Sequence, residues 1–176
     1  GMYSAHVSNG NNRNRLKIFQ KFIGYKVFPL GVDVLDVGGR NFIGLNLGIT
    51  DYTKGDLNHE MRTPKEAYDI ICCFEVLNHV MNHEDFLRRI RDKLKPGGKL
   101  YLSTPKLWLI AWPHGKGNYV ELKSRSLRII LKYVGFHIAR ERVYNPWPWW
   151  FFFWGVRPPL RVLFNRFTLL ECVRWE

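Results

Sequence analysis

The chain has 176 residues, 46% hydrophobic and 24% charged, with a formal net charge of +12 at pH 7. That length and apolar content suit one globular domain with its own core and exclude a disordered chain. The positive charge implies attraction to an anionic partner (nucleic acid, anionic lipid or an acidic substrate) and says nothing about fold.

Gly1 before Met2 reads as a remnant of tag removal. Residues 1–32 hold five Lys/Arg and no acid, yet no long apolar core, so no secretory leader is expected. Residues 3–12 read as a polar arm. A helix is expected from Arg13 to Ile23, because Leu16, Phe19 and Ile23 share a face and Gly24 stops it. Val32–Val37 is the first strand, ending in Asp36 and followed by Gly38 and Gly39. Only Arg40 and Asn41 then precede a second apolar run, Phe42 to Leu47. Parallel strands need a crossover of about a dozen residues. The run is therefore expected either as a second strand with an unusually short crossover, or as one arm of a β-hairpin turned by GGRN.

Residues 48–64 read as a loop around a short strand near Thr53–Leu57. The continuous apolar run Tyr68–Phe74 predicts a buried central strand. Asn82 caps a helix whose buried face is Phe86, Leu87, Ile90 and Leu94, with Asp85 in capping-box position. Pro96-Gly97-Gly98 ends that helix and launches a strand over Lys99–Ser103. Residues 105–120 form a loop. A helix over Ser124–Val134 follows from Leu127, Ile130, Leu131 and Val134, with Gly135 behind it. Strands are expected at Phe136–Tyr144 and Phe167–Trp175, separated by an aromatic insertion over 145–166. Strands alternating with helices predict a Rossmann-like α/β doubly wound, mostly parallel sheet with an antiparallel last strand. The expected division is an N-terminal arm and helix (3–24), a core (30–144), the insertion and the last strand, all within one domain. Cys72, Cys73 and Cys172 fall in strands without metal-ligand spacing and read as small buried hydrophobes. No metal is expected.

The segment GDLNHEMRTPKEAYDIICCFEVLNHVMNHEDFLRRIRDKLKPGGKLYLSTP, Gly55 to Pro105, holds an acid-containing loop, a YD-plus-apolar strand, a run like "evleHv", an amphipathic helix, KPGG and a strand ending in Pro. In that order, with the first strand and its glycines, it resembles the class I S-adenosylmethionine-dependent methyltransferases of the small methyltransferase type 11-like sort. The resemblance covers about residues 30–144. It implies S-adenosylmethionine as cofactor and a small-molecule acceptor. It implies that Gly38 and Gly39 face the methionine part, with Asp36 holding the turn. Asn46 would stand where an acid normally binds the ribose hydroxyls. Asp56, beside Leu57, would bind the adenine amino group. Glu75 would flank the sulfonium region. His79 would sit near the acceptor as the catalytic candidate, and His114 and Tyr119 would contact the acceptor. The family's acid-x-G-x-G-x-G reads here Asp36-Val37-Gly38-Gly39-Arg40-Asn41-Phe42, so Arg40 and Phe42 stand at the second and third glycine positions.

PWPWWFFFWG, residues 146–155, packs four Trp and three Phe into ten residues. It is too short to cross a bilayer, which takes about 20 apolar residues. Flanked by Arg157, Arg161 and Arg166, it reads as a packed flap, a dimer contact, a membrane-interface patch over 146–161, or a lid over a hydrophobic acceptor. Trp149 and Trp150 are the candidate substrate contacts. Asn145-Pro146-Trp147-Pro148 is similar to the amino-methylating motif of nucleic-acid methyltransferases, but that motif follows the central strand, where FEVLNHV stands here.

The leading expectation is a cytoplasmic methyltransferase, peripheral to a membrane, acting on a small hydrophobic or lipid-like acceptor. A non-enzymatic membrane or protein interaction module is the alternative, and a nucleic-acid methyltransferase ranks below it. A nicotinamide-dependent oxidoreductase is not favoured. The glycines do not form GxGxxG, and no acid follows about 20 residues later at a strand end.

Overall fold

The structure, a computed structural model of the chain, describes residues 9–106, 124–145 and 166–175. The expected substrate residues His114, Tyr119, Trp149 and Trp150 lie outside the described residues, as does the aromatic run. Six strands form one sheet: β1 Val34–Val37, β2 Asp51–Tyr52, β3 Tyr68–Phe74, β4 Leu94–Lys106, β5 Phe136–Tyr144 and β6 Arg166–Arg174. Their order is β2-β1-β3-β4-β6-β5. The first four are mutually parallel, and β6 runs antiparallel between β4 and β5. The expected doubly wound sheet with an antiparallel last strand is what forms.

The helices are α1 Asn9–Ile23, α2 Phe42–Asn46, α3 His83–Asp92 and α4 Ser124–Val134, with a 3₁₀ turn at Leu77–His79. α1 starts four residues before the expected Arg13, so part of the expected polar arm is helical. β3 explains how one apolar run serves two layers. Ile70 and Cys72 join the cluster that contains Phe19 and Phe22 of α1, while Ile71 and Cys73 join the one that contains α3 and α4. A strand covered on both faces needs no polar alternation. All three cysteines are buried and free.

The main correction falls on Phe42–Leu47. It is neither a second strand nor a hairpin arm, but the short helix α2. Asn41 has the extended backbone of an N-cap, and its side-chain oxygen accepts the Gly44 N–H at 2.9 Å. Ile43 and Leu47, four apart, are buried, while Phe42 and Leu45 are exposed. The expected short strand near Thr53–Leu57 also shifts: β2 is Asp51–Tyr52, paired parallel to β1. The crossover thus takes residues 38–50, with α2 inside it, and meets the length that a parallel connection requires. The apolar run concealed this because one helical turn has too few residues to show a period.

Candidate functional site

The chain leaves β1 toward β2 on one side and later enters β3 on the other. Strand order therefore reverses at the carboxyl ends of β1 and β3, where α/β sheets bind ligands. A cavity of about 660 Å³ lies there. Its walls come from α1, the β1–α2 turn, the loop after β2 and the turn after β3.

The β1 wall is built on glycine. Gly38 has φ +108, and a Cβ on it would stand 2.7 Å from Val76 Cγ2. The backbone here thus approaches the β3 side more closely than any side chain allows. The Gly38 N–H donates to Thr53 Oγ1 at 3.0 Å, tying the turn to the residue after β2. Asp36 is 2% exposed and sits beneath the turn, not in the cavity wall. Asn41 Nδ2 donates to Asp36 Oδ2 at 2.5 Å and to the Gly39 carbonyl at 3.2 Å. Asp36 Oδ1 has no hydrogen-bond partner among the described residues. Burial pushes the Asp36 carboxyl up to about 7, with the Asn41 amide pulling the other way. One side chain, Asn41, therefore caps α2, bridges the turn and donates to one oxygen of the buried acid. It does the bracing where the family pattern has further glycines.

The β3 wall uses strained backbone. Glu75 has φ +58, the one non-glycine residue with positive φ among the described residues. Its N–H donates to the Ser103 carbonyl at 3.1 Å and to Ser103 Oγ at 2.9 Å. A left-handed non-glycine residue costs about 1–3 kcal/mol and persists where the surroundings over-determine it, often at functional sites. The Glu75 carboxylate meets Arg15 Nη2 at 2.6 Å. Arg15 reaches the cavity from α1, its guanidinium 5.9 Å from the Phe19 ring centroid and 6.0 Å from that of Phe167. His79 lines the cavity from the 3₁₀ turn.

The loop after β2 closes the third side. The Asp56 side chain accepts the Asn58 N–H at 3.0 Å, and that bond leads in holding its carboxyl below the usual range. Asn58 Oδ1 accepts the Met81 N–H at 2.8 Å, and Arg89 Nη2 donates to the Leu57 carbonyl at 2.9 Å. This pins the loop to the residues after the 3₁₀ turn and to α3. His83 is buried with Nε2 2.9 Å from the Leu77 carbonyl, and burial lowers its pKa. It supports the 3₁₀ turn from behind.

Gly38, Asp56, Leu57, Glu75 and His79, expected at one site, do line one cavity. Gly39 adjoins it without lining it. Asn46 is not brought there. Its expected place presumed a strand, and on α2 its Nδ2 instead donates to the Phe42 carbonyl at 2.8 Å. Asn12, Arg15, Asn41 and Asn58 are site residues that sequence reasoning passed over. Asn41 carried a readable signal, an N-cap residue before an apolar i, i+4 pair. Arg15 carried none, since only folding brings α1 to Glu75.

A glycine turn, a buried acid beneath it and an acidic loop at the switch point define a Rossmann-like nucleotide-cofactor site. The methyltransferase domain family matches residues 11–169, and the chain belongs to that family. Among curated relatives, the ubiquinone biosynthesis O-methyltransferase of Marinobacter nauticus is 36% identical over 75 residues, 39% of this chain. The aligned part is 32% of that protein, so the chain spans about a third of its length. A solved S-adenosylmethionine-dependent methyltransferase of Mesorhizobium loti superposes with TM-score 0.60 and 18% identity, covering 93% of this chain and 98% of that one. The 1,6-didemethyltoxoflavin-N1-methyltransferase of Burkholderia thailandensis, with S-adenosylhomocysteine bound, gives TM-score 0.61 at 13% identity, covering 94% and 79%. Both likenesses are of fold.

The chain carries a methyltransferase domain, and that family implies S-adenosylmethionine as the group to be held here. The residues present fit that group. The Gly38 cradle admits backbone-close contact, Asp56 offers a carboxylate to hydrogen-bond donors, and Arg15 offers a cation to the cofactor's own carboxylate.

Proposed function

We propose that the protein methylates a hydroxyl oxygen of a small, hydrophobic, lipid-like acceptor, working on the cytoplasmic side of a membrane with residues 146–161 in peripheral contact. The observation that carries this reading is the make-up of the cavity beyond the glycine turn. Phe42, Ile43, Leu57, Val76 and Val80 line it in apolar side chains, with His79 among them. The likeness to ubiquinone biosynthesis O-methyltransferases supports the same class of acceptor.

The cofactor supplies a methyl group on a positively charged sulfur. The protein's share is alignment and proton handling. The apolar wall orients the acceptor's body and excludes water. His79 would take the hydroxyl proton of an acceptor held against that wall. Glu75 and Arg15 hold the opposite wall.

Calorimetry with S-adenosylhomocysteine, followed by methyl transfer from labelled cofactor to alkylated and unalkylated catechols, tests the reading. Alkylated catechols should be preferred, and His79→Ala should lower kcat by about 10²-fold or more. Cofactor binding with no transfer to any hydroxyl acceptor would overturn it.

A further inference from the structure

The two sides of α1 differ in kind. Phe19, Phe22 and Ile23 are buried, and Arg15 reaches the cavity. On the opposite side Arg13, Lys17 and Lys21 stand four residues apart and are all exposed. They form a stripe about 12 Å long at 1.5 Å per residue. α1 contains no acid, and among the described residues none of the three has an ion-pair partner. α3 is arranged otherwise. There Arg88, Arg89 and Arg91 pair with Glu84, Asp85 and Asp92, so the charge is locally neutralised. On α1 it is left uncompensated.

A second feature adjoins the stripe. Gln20 Nε2 donates to the Lys26 carbonyl at 2.8 Å, folding the following turn back toward the helix. That turn leaves Tyr25 43% exposed, Val27 56% and Leu30 104%. Cations beside exposed aromatic and aliphatic side chains match a bilayer interface, where headgroups take the charge and the acyl boundary takes the apolar groups. Nucleic acid would engage the cations and leave the aliphatic residues unmatched.

We propose that the outward face of α1, Arg13, Lys17 and Lys21 with Tyr25, Val27 and Leu30 at its C-terminal end, docks the protein on an anionic phospholipid surface. The inference deepens the reading of a lipid-like acceptor and rests on it for its purpose, not for its geometry. Docking there places the bilayer across the thickness of one helix, about 10 Å, from the Arg15 side of the cavity.

The test is co-sedimentation of the full chain with phosphatidylcholine vesicles, with and without phosphatidylglycerol. Binding should require phosphatidylglycerol and weaken with added salt. Arg13→Gln/Lys17→Gln/Lys21→Gln should lower partitioning about a hundredfold, and Val27→Asp should lower it further. Arg125→Gln/Lys132→Gln on α4, also exposed, should leave it unchanged. Retained binding of S-adenosylhomocysteine certifies that each variant is folded. Equal loss in both charge variants means diffuse attraction and overturns the proposal. So does equal binding to neutral vesicles, or a homopolymer RNA that strips the protein from the vesicles. Methyl transfer to an acceptor held in detergent micelles does not need this face. Its failure beside intact vesicle binding would count against the proposed reaction alone.

Discussion

The β1 and β3 walls of the cavity face each other across Gly38 and Val76, yet they are built by opposite means. The β1 wall is relaxed backbone held by side chains: Asn41 braces the turn, and Asp36 lies buried beneath it. The β3 wall is the reverse, a strained Glu75 clipped by its own N–H to Ser103. One wall departs from the family's glycine pattern and the other follows its "evleHv" run. A site can thus lose glycines and keep its shape if a capping side chain takes over their task.

Substitutions should separate the two walls, and the largest effect belongs to the β1 side. A Cβ on Gly44 would collide with the Asp36 carboxylate. Gly44→Ala should destabilise the fold by about 2–3 kcal/mol and abolish cofactor binding, read by urea melts and calorimetry. A stable, binding variant would show that the turn is not braced through Asp36. Next comes Asn41→Ala, which removes the α2 cap and leaves Asp36 without a donor. A loss of about 2 kcal/mol is expected. A double-mutant cycle with Asp36→Asn should show strong coupling, and simple additivity would break the bracing argument.

Asp36 also sets a pH dependence. Its folded pKa, about 7, lies above the ordinary 3.8. The folded state therefore holds the proton that the unfolded state releases between about pH 4 and 7. Stability should fall as pH rises through that window. Asp36→Asn should flatten the slope and gain about 1–3 kcal/mol at pH 8. Urea melts at pH 5 and pH 8 decide it, and an unaltered slope refutes the assignment.

On the β3 side, Glu75→Gly should relieve the positive φ and change stability by no more than about 1 kcal/mol. Releasing Arg15 from its partner should still raise the acceptor KM. A large stability loss instead would mean that the Arg15 pair holds α1 in place. The smallest effect is expected from Asp56→Asn on the exposed loop, a modest weakening of cofactor affinity with no change in the melting curve.

Much of this architecture was legible in advance. Tyr68–Phe74, Ser124–Val134 and Phe136–Tyr144 form where their patterns put them, because each is long enough to display a period or a sustained apolar run. Gly38, Asp56, Leu57, Glu75 and His79 converge because their motifs sit at strand ends, which the doubly wound topology gathers at one edge. Phe42–Leu47 was not legible. Its apolar content fits strand or helix equally, and the deciding contacts are those of Asn41 with Asp36 and Gly44.

The sequence by itself determined the fold class, the strands that carry the site and the motifs at their ends. Those depend on local periodicity and on order along the chain. Only the tertiary structure decided that Asn46 turns away, that Arg15 meets a carboxylate sixty residues further on, and that Arg13, Lys17 and Lys21 meet no carboxylate among the described residues. Each depends on which surfaces packing brings together, and no local pattern encodes that.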